Sequence, residues 1–571
     1  MLLLALIGIP LVGGSVLLAL RSGGLEDRAR EQLALAIIAI SLVLGVVVTY
    51  QVLQATPIGQ ASIAPHIEYS PKWMRFNLAA ALATNPDGWQ LSLGLDGIGA
   101  AMVLLTLIVA TAVLVIARST VSENRGDYAS WILIATGGLL LVFSAMDLLL
   151  FYIGFEITLI PLFAMIAGWG SADGFAAAKR FVLYTLLGSI PMVIGLFGIC
   201  ELYRGEGGWS VHMPTLAEHA STMVLTAQQK DLQVWVFLLL ALGLGIKTAI
   251  IPLHTWLPTT YAASHPTTTA FLAAVVLKMG LFGFVRLVLP YTRETCELLG
   301  PDLFGWLGAI AIVGGALVAL AQKDLNLMFA YSSLSHVGFI TIGLFSLSHE
   351  GIGGATLQMF NHGITTVAMF LLLACMLVRR PNLRLDEEAG GMSTQFPRLG
   401  FFTVFFIIAA AGMPGLNNFV GELLTLSGMI TERPAVTGVA VLGVVLGAWY
   451  SFRMLQYVLF GSSDKARTKG RTSTSSASVS ADLPIEHKAV FGSLALLCLF
   501  IGVMPNMAIG LFKSDVEGLT HVYDKPAASE RLSKSARSGQ TPFPVGSQSA
   551  QRWIDSQPLV QTAPLGLEVE E

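Results

Sequence analysis

The sequence predicts an all-α polytopic membrane protein with about fourteen transmembrane helices, and three features support this fold class. Of its 571 residues, 54% are hydrophobic and only 12% are charged, whereas soluble domains carry about 25% charged residues. Many apolar runs reach the ~20 residues that a helix needs to cross a hydrocarbon core of about 30 Å. No segment shows the ~10-residue alternation of a membrane β-barrel, so helices are expected to satisfy the backbone hydrogen bonds.

The apolar segments divide the chain into six predicted regions. Residues 1–128 form an N-terminal three-helix segment, whose opening stretch, MLLLALIGIPLVGGSVLLAL, lacks the basic start of a signal peptide and is interpreted as a first span. The other regions are a first five-helix repeat (129–289), a second five-helix repeat (302–460), a polar loop rich in Ser and Thr (461–486), a last transmembrane helix (487–512) and a polar tail expected to be extended or disordered (513–571). The fourteen predicted spans lie near 2–20, 33–53, 94–117, 129–147, 148–168, 180–202, 232–258, 266–289, 302–322, 325–347, 350–378, 399–431, 435–460 and 487–512.

The orientation follows from the distribution of basic residues between loops. Odd-numbered loops hold sixteen Lys and Arg residues, whereas even-numbered loops hold six. Because basic loops stay in the cytoplasm, the odd-numbered loops are predicted to be cytoplasmic. With an even number of spans, both termini are then predicted to lie on the outer side.

Ionisable side chains interrupt several of the apolar spans. A charge near the bilayer centre costs about 2.5 kcal/mol or more, so such residues persist mainly where they face protein or water. Histidine titrates near neutral pH, and buried lysines and carboxylates can be brought there by desolvation and by each other. The pattern therefore predicts a proton relay, in which each group holds and releases a proton. Its candidate members, each on a different span, are Glu156, Lys247, Lys278, His336, His362 and Glu422.

A purely structural role is the alternative for these residues. Glu156 and Lys247 would then form an ion pair that locks two helices. His336 and His362 would each be a packed, hydrogen-bonded histidine, and Glu422 would lie at a helix end near water. The occurrence of six such groups together favours the relay over the structural interpretation.

Two spans contain a proline close to one of these charges. Pro252 follows Lys247, and Pro414 precedes Glu422. Because proline removes a backbone donor and clashes with the preceding turn, both helices are expected to break, which at membrane depth requires surrounding protein or water. Each break falls in the fourth helix of a five-helix unit. A unit with an odd number of spans ends on the side of the membrane opposite to its start, so the two units are predicted to be inverted repeats. His254, beyond the first break, is a further candidate for lining the entry to the relay.

Other kinds of site have no support in the sequence. No basic block with interleaved aromatic residues occurs, so no nucleic-acid partner is expected. The four cysteines are scattered and match no metal-binding spacing. Without a glycine fingerprint for dinucleotides or a cysteine cluster, no cofactor, metal or redox centre is expected in this chain.

Five segments together resemble the proton-translocating, antiporter-like subunits of respiratory complex I. They are similar to the fifth, seventh, eighth, tenth and twelfth spans of that family: DLLLFYIGFEITLIPLFAMIAGWG, IKTAIIPLHTWLP, PTTTAFLAAVVLKMGLFGFVR, DLNLMFAYSSLSHVGFITIG and GMPGLNNFVGELL. The resemblance covers roughly residues 94–460. In most of these relatives the twelfth span carries a lysine, whereas Glu422 here is similar to the glutamate of the M-type branch.

This resemblance implies a function and a set of partners. The chain would move protons along a mid-membrane axis, driven by NADH oxidation and quinone reduction in partner subunits that carry flavin and iron–sulfur clusters. It would lie in a bacterial plasma membrane beside other antiporter-like subunits. The implied roles are a charge pair in the first half-channel (Glu156, Lys247), a connecting lysine (Lys278), a continuing polar axis (His336, His362) and the end of the second half-channel (Glu422).

Three rival functions share part of this pattern. The resemblance extends to the antiporter subunits of multi-subunit sodium/proton exchangers, which have the same fold and most of the charges but need no NADH-oxidising partner. The membrane arm of a hydrogenase complex differs in its soluble partners. A structural scaffold with inert ion pairs would transport normally after the loss of these groups.

Overall fold

α-Helices, interrupted in places by short π-helical stretches, form almost all of the secondary structure. The computed structural model describes residues 1–55, 57, 63–70, 75–76, 89–205, 208–381, 383–385, 390–460 and 482–524. The α-helices, in chain order, are α1 (Leu2–Ala19), α2 (Asp27–Gln54), α3 (Gly97–Thr120), α4 (Arg125–Ser144), α5 (Leu148–Ile157), α6 (Leu159–Trp169), α7 (Gly174–Leu202), α8 (Met213–Thr222), α9 (Ala227–Thr248), α10 (Trp256–Ala263), α11 (Pro266–Phe271), α12 (Leu277–Gly283), α13 (Arg293–Leu299), α14 (Gly305–Ala321), α15 (Leu325–Leu344), α16 (His349–Arg379), α17 (Met392–Gln395), α18 (Pro397–Ala410), α19 (Asn417–Glu432), α20 (Pro434–Met454), α21 (Ile485–Val503), α22 (Pro505–Ile509) and α23 (Lys513–Asp524).

Short π-helical stretches extend or connect several of these helices, and a few short strands lie between α2 and α3. The π-helical stretches are Leu272–Val276, Phe284–Val288, Gly300–Phe304 and Leu455–Phe460. The strands are β1 (Ile67–Tyr69), β2 (Arg75–Phe76), β3 (Trp89–Gln90) and β4 (Leu93–Leu95). β1 pairs antiparallel with β4, and β2 pairs antiparallel with β3.

The all-α polytopic fold predicted from the sequence is confirmed. Thirteen helices in the described part of the chain are long and apolar enough to cross a membrane. The remaining predicted span, 399–431, consists of two shorter helices, α18 and α19, with a break between them. The inverted relation of the two five-helix units stays a prediction.

Both helix breaks occur where the prolines predicted them. α9 ends at Thr248, the next residue, Ala249, adopts a left-handed conformation with φ 58°, and α10 begins at Trp256. In the second break, Gly412 and Gly415 have φ values of 71° and 87°. A left-handed residue satisfies the carbonyls at a helix end without continuing the helix.

The polar segments after residue 460 are described only in part. Residues 461–481 of the predicted polar loop and 525–571 of the predicted tail lie outside the described residues. The expectation that the whole segment 513–571 is extended or disordered is wrong for its first twelve residues, because α23 is helical from Lys513 to Asp524. Phe512, Val516 and Leu519 are buried, and their helical spacing gives α23 the apolar face that holds it against the bundle.

A buried ionic cluster attaches α23 to the predicted outer face. His66 Nε2 lies 3.1 Å from Asp515 Oδ1, and His66 Nδ1 lies 3.0 Å from the carbonyl oxygen of Val52. Both of these partners accept hydrogen bonds, so both ring nitrogens donate when His66 is protonated. Asp515 also accepts from the backbone N–H of Ile98 at 3.0 Å. The cluster therefore ties the C-terminal helix to the start of α3.

This attachment is expected to weaken as the pH rises. The hydrogen bond to Asp515 raises the pKa of His66 above its usual 6.5. Burial raises the pKa of Asp515 to about 6, and the nearby Asp96 carboxylate acts in the same direction. Because both pKa values are higher in the folded state, their stabilisation is complete at low pH and is lost as the pH rises through about 6 and then through the pKa of His66.

Hydrogen exchange in α23 measures this effect. We expect stronger protection of the helix at about pH 5.5 than at about pH 8, after correction for intrinsic exchange. The dependence should disappear in Asp515→Asn and persist in Glu517→Gln, an exposed position on the same helix. Equal protection of the unmodified protein at both pH values would contradict the assignment.

Candidate functional site

The six predicted relay residues lie in two groups inside the helix bundle. The first group is contiguous through direct side-chain contacts, and the second lies beside the first helix break. The contiguous group contains Lys278, His362, His336 and Glu422, and the second contains Lys247 and Glu156.

Lys278 lies on a helix that is entirely surrounded by protein. Its side chain is 0% exposed. The helix that carries it, α12, is flanked on both sides by π-helical stretches, a distortion that occurs frequently at functional sites. The Nζ donates to the carbonyl oxygen of Ala273 at 2.6 Å and lies 2.6 Å from Nδ1 of His362. One lysine proton is therefore directed at an imidazole nitrogen.

The contacts continue from His362 to Glu422. The imidazole rings of His362 and His336 have their centroids 5.2 Å apart. On the far side, Nδ1 of His336 lies 3.0 Å from Oε1 of Glu422, an ion-pair distance when the histidine is protonated, although this nitrogen makes no hydrogen bond to any described residue. Gln358 donates to the same carboxylate oxygen at 3.3 Å. Side chains from α12, α16, α15 and α19 thus form one line of ionisable groups.

Glu422 lies in the first turns of α19, just after the second helix break. Its side chain is buried, so it does not occupy the solvated helix end that the structural alternative required. A Cβ atom added at Gly412 would lie 2.8 Å from Oε2 of Glu422. Glycine at this left-handed position therefore allows the broken backbone to pass directly against the carboxylate.

Lys247 lies in the last turn of α9, immediately before the first break. It is 1% exposed, and its Nζ lies over the ring of Phe155 at 4.7 Å and near that of Phe181 at 5.6 Å. Among the described residues this Nζ has no hydrogen-bond partner. The negative end of the helix dipole and the aromatic faces both favour a cation here.

Glu156 completes the second group from α5. It interacts electrostatically with Lys247. Its Oε1 atom is buried, and within the part of the chain that the structure describes this oxygen has no hydrogen-bond partner. The two opposite charges therefore influence each other without the direct contact of a locked structural ion pair.

The helices that carry the two lysines are in close contact. A Cβ atom added at Gly280 would lie 2.6 Å from Cγ2 of Thr248 and 3.1 Å from the carbonyl oxygen of Leu244. Gly280 lies two residues after Lys278, and Thr248 directly follows Lys247. The backbones of α9 and α12 therefore approach each other close to the backbone positions of the two lysines.

His254 is not brought into contact with either group. It lies in the turn between α9 and α10 and is partly exposed. Its backbone carbonyl accepts a hydrogen bond from Leu257 N at 2.9 Å. Its buried Nδ1 has no hydrogen-bond partner among the described residues, and the entrance role predicted for His254 stays a prediction.

Several uncharged polar residues next to the axis were not predicted from the sequence. Asn361 donates to the carbonyl oxygen of Asn417 at 2.7 Å, and Asn417 donates to Thr365 Oγ1 at 3.2 Å. Gln358 lies one helical turn before His362, a spacing that puts the two on one face of α16. The spacing to His362 is the sequence signal that could have identified Gln358. For Asn417, the signal is the pair of asparagines in the segment GMPGLNNFVGELL.

The side chains of the site are of types that can bind and release protons. Among the described residues, no group of three or more His, Cys, Asp and Glu side chains is arranged to hold a metal ion. Lysine, imidazole and carboxylate groups in sequence are each able to accept and donate a proton. The arrangement thus places four groups that can bind and release protons in one line across the bundle, on four different helices.

Comparison with known proteins places these features in a family. A family model described as "NADH:quinone oxidoreductase/Mrp antiporter, TM" matches residues 145–447. The NADH-quinone oxidoreductase subunit M of Rhodobacter capsulatus is 34% identical over 439 residues, which cover 76% of this chain and 83% of the relative. The protein of the same name from Rickettsia bellii (strain RML369-C) is 31% identical over 433 residues, with 76% and 83% covered.

Solved structures with the same fold include chains of respiratory complex I and of an Mrp complex. A chain of respiratory complex I from Thermus thermophilus with bound NADH has a TM-score of 0.76 at 28% identity, with 91% of this chain and 99% of that chain covered. A chain of the Mrp complex from Dietzia sp. DQ12-45-1b has a TM-score of 0.74, with 92% and 99% covered. At 18% identity, the second likeness shows the fold alone.

Proposed function

The chain belongs to the NADH:quinone oxidoreductase/Mrp antiporter transmembrane family, and from this premise we propose that it is a proton-translocating membrane subunit of an NADH:quinone oxidoreductase. The observation that carries the proposal is the line of neighbouring ionisable side chains from Lys278 through His362 and His336 to Glu422. Such a line of ionisable groups in a buried site is costly to maintain without a function. Proton movement is the chemistry that these groups perform together.

The first step uses the pair beside the first helix break. Lys247 holds its proton with the help of the Glu156 charge, although no direct hydrogen bond joins them. When a charge change in a neighbouring subunit weakens that electrostatic interaction, the ammonium loses its counter-charge and releases its proton. The proton passes toward Lys278, across the close contact between α9 and α12.

The second step uses His362 as a relay between two neighbours. While Lys278 is charged, its Nζ donates to Nδ1 of His362. When Nδ1 accepts that proton, the imidazolium can release a different proton from Nε2, and the ring remains neutral after the exchange. His336 receives the proton in the direction of Glu422, where its Nδ1 already lies 3.0 Å from the carboxylate. One proton enters the line and one leaves it.

The driving reaction is proposed to take place in partner subunits. The flavin and the iron–sulfur clusters are proposed to lie in those partners, with no redox centre in this chain. Neighbouring antiporter-like subunits in the lipid bilayer deliver the charge change. The chain lies in a bacterial plasma membrane with both termini on the outer side, in keeping with the excess of basic residues in the odd-numbered loops.

A substitution in the middle of the line tests the proposed function. His362→Gln keeps a polar side chain but removes the titratable ring, so we expect proton pumping per NADH oxidised to fall while the purified complex still oxidises NADH. The measurement is acidification of proteoliposomes that contain the whole complex. The matched control is His349→Gln, an exposed histidine at the start of the same helix. Unchanged pumping in His362→Gln would overturn the proposed relay.

The partners distinguish this function from its rivals. The two relatives above, at 31% and 34% identity, are both named as NADH-quinone oxidoreductase subunits, which favours the oxidoreductase over a cation/proton antiporter. Affinity purification of the tagged chain from mild detergent should recover NADH:quinone reductase activity. Recovery of membrane subunits alone would favour the antiporter, and recovery of hydrogenase activity would favour the hydrogenase arm.

A further inference from the structure

A buried glutamine contacts the carboxylate at the end of the line. Gln358 of α16 is 0% exposed, and its Nε2 donates to Oε1 of Glu422 at 3.3 Å. Nδ1 of His336 lies 3.0 Å from the same oxygen but makes no hydrogen bond to a described residue. The amide of Gln358 is therefore the neighbour that is hydrogen-bonded to this oxygen in the structure.

The other end of the same amide has no bond. Oε1 of Gln358 is buried, and among the described residues it has no hydrogen-bond partner. Buried polar atoms are nearly always hydrogen-bonded, so an exception calls for an explanation. An ionised carboxylate only accepts hydrogen bonds, whereas a protonated carboxyl group has an O–H that donates one. The spare carbonyl oxygen is thus the partner that the protonated form of Glu422 needs, and it faces Glu422 once the amide turns over.

Close packing of α16 against α19 keeps the amide next to the carboxylate. A Cβ atom added at Gly421 would collide with Oε1 of Gln358 and would lie 3.0 Å from its Cβ. One turn earlier on α16, a Cβ atom added at Gly354 would lie 2.6 Å from Cβ of Leu424. Glycine at both positions permits this approach. The oxygen and nitrogen ends of an amide are similar in size, so the amide can exchange them without a movement of the helices.

We propose that Gln358 is a positioning residue that serves both protonation states of Glu422. Its Nε2–H holds the carboxylate, and after the amide turns over its Oε1 accepts from the protonated acid and draws the proton away from His336. The proposal rests on the proposed function and deepens it, because it names the residue that keeps a delivered proton from returning. Without that acceptor, the O–H of Glu422 has the neutral imidazole of His336 as its neighbour, and the proton passes back.

The proton balance of this step involves only two groups. When the imidazolium of His336 gives its Nδ1 proton to Oε1 of Glu422, one N–H bond breaks, one O–H bond forms and both side chains become neutral. The turn of the amide then exchanges the hydrogen bond from Nε2 for one accepted by Oε1, and no covalent bond changes. When Glu422 later releases the proton, the carboxylate is restored and the amide turns back.

Few other titratable groups surround Glu422. His336 comes from α15 and His362 from α16, and Tyr450 of α20 interacts with Glu422 electrostatically while its hydroxyl lies 2.7 Å from Ser332 Oγ. α18 and α21 also pack against α19, and their segments 399–410 and 489–503 contain no acidic or basic residue. A change in the titration of Glu422 on substitution of Gln358 therefore reports on the amide.

Infrared spectroscopy of the purified whole complex tests the proposal. Glu422→Gln identifies the C=O band of the protonated Glu422 by its loss, and Gln358→Met removes both ends of the amide while keeping a side chain of similar length. Because hydrogen bonds to a charged group are the stronger ones, we expect the midpoint of the band's titration to move up by about one pH unit, which corresponds to about 1.4 kcal/mol. The band should also move to higher frequency, because the O–H has lost its acceptor.

Two further variants complete the experiment. Gln322→Met is the matched control, because Gln322 is an exposed glutamine just after α14 that donates to the carbonyl oxygen of Val318 at 3.2 Å; it should leave the band unchanged. Gln358→Asn keeps the amide but withdraws it by one methylene, so we expect smaller shifts in the same directions. It also provides the measurement if Gln358→Met fails to assemble.

Each outcome bears on the amide separately from the proposed function. An unchanged midpoint in the Gln358 variants would show that the N–H does not hold the carboxylate, and an unchanged frequency would show that the amide does not accept from the protonated acid; either result overturns the proposal. Both are compatible with a relay that passes the His362→Gln test. Conversely, unchanged pumping in His362→Gln would remove the relay and leave the infrared shifts as measured.

Discussion

Replacing Lys278 by methionine is expected to stop proton transfer through this subunit. The change removes the ammonium that contacts His362 Nδ1 and the Ala273 carbonyl, each at 2.6 Å, so the line is cut at its centre. A positioned acid–base group contributes about 10²–10⁴-fold, and we expect the proton flux through this chain to fall by at least ~10². Methionine has a similar volume and needs no hydrogen bond, so the bundle should still assemble.

The measurement compares proton translocation with NADH oxidation in proteoliposomes that contain the purified complex. Lys230→Met is the matched control, because Lys230 is largely exposed at the start of α9 and pairs with the half-exposed Glu294 at 2.9 Å. We expect normal coupling in the control and a lower number of protons per NADH in Lys278→Met. Full coupling in Lys278→Met would show that protons do not pass through this lysine.

Replacing Glu422 by glutamine is expected to have an effect of similar size at the other end of the line. The amide keeps the size of the side chain and can still hydrogen-bond with Gln358, but it cannot bind the proton that His336 would deliver from 3.0 Å. We expect the proton flux through this chain to fall by ~10² or more. The protein should remain folded, since the substituted side chain has the same shape and one of its polar atoms keeps Gln358 as a partner.

The control for Glu422→Gln lies on the same helix. Glu432→Gln changes an exposed carboxylate at the end of α19 and should leave pumping unchanged. Glu422→Asp is an informative intermediate, because it keeps a titratable group but withdraws it from His336 by one methylene, and we expect partial pumping. Normal pumping in Glu422→Gln would exclude this residue as a proton acceptor, whereas failure of both Glu422 variants to assemble would assign it a structural role.

The buried ionisable residues and the helix breaks could be predicted from the sequence because each depends on local features. A lysine or glutamate within a long apolar run is costly wherever the helix lies, so Lys278 and Glu422 were identifiable without coordinates. The same holds for the two breaks, since a proline removes a backbone hydrogen bond whatever surrounds it. α23 was missed because its apolar residues are few and its helix depends on docking against the bundle, where Asp515 reaches His66.

The apolar runs, the loop charges and the prolines by themselves determined that this chain is an all-α membrane protein with broken helices and buried ionisable groups. Only the tertiary structure decided which of those groups touch. Lys278 and His362 are 84 residues apart in the chain, and their contact depends on how α12 and α16 are rotated against each other. A shift of one residue turns a helix by about 100°, so the packing of the surrounding side chains selects one arrangement of the line, while the sequence pattern fits several.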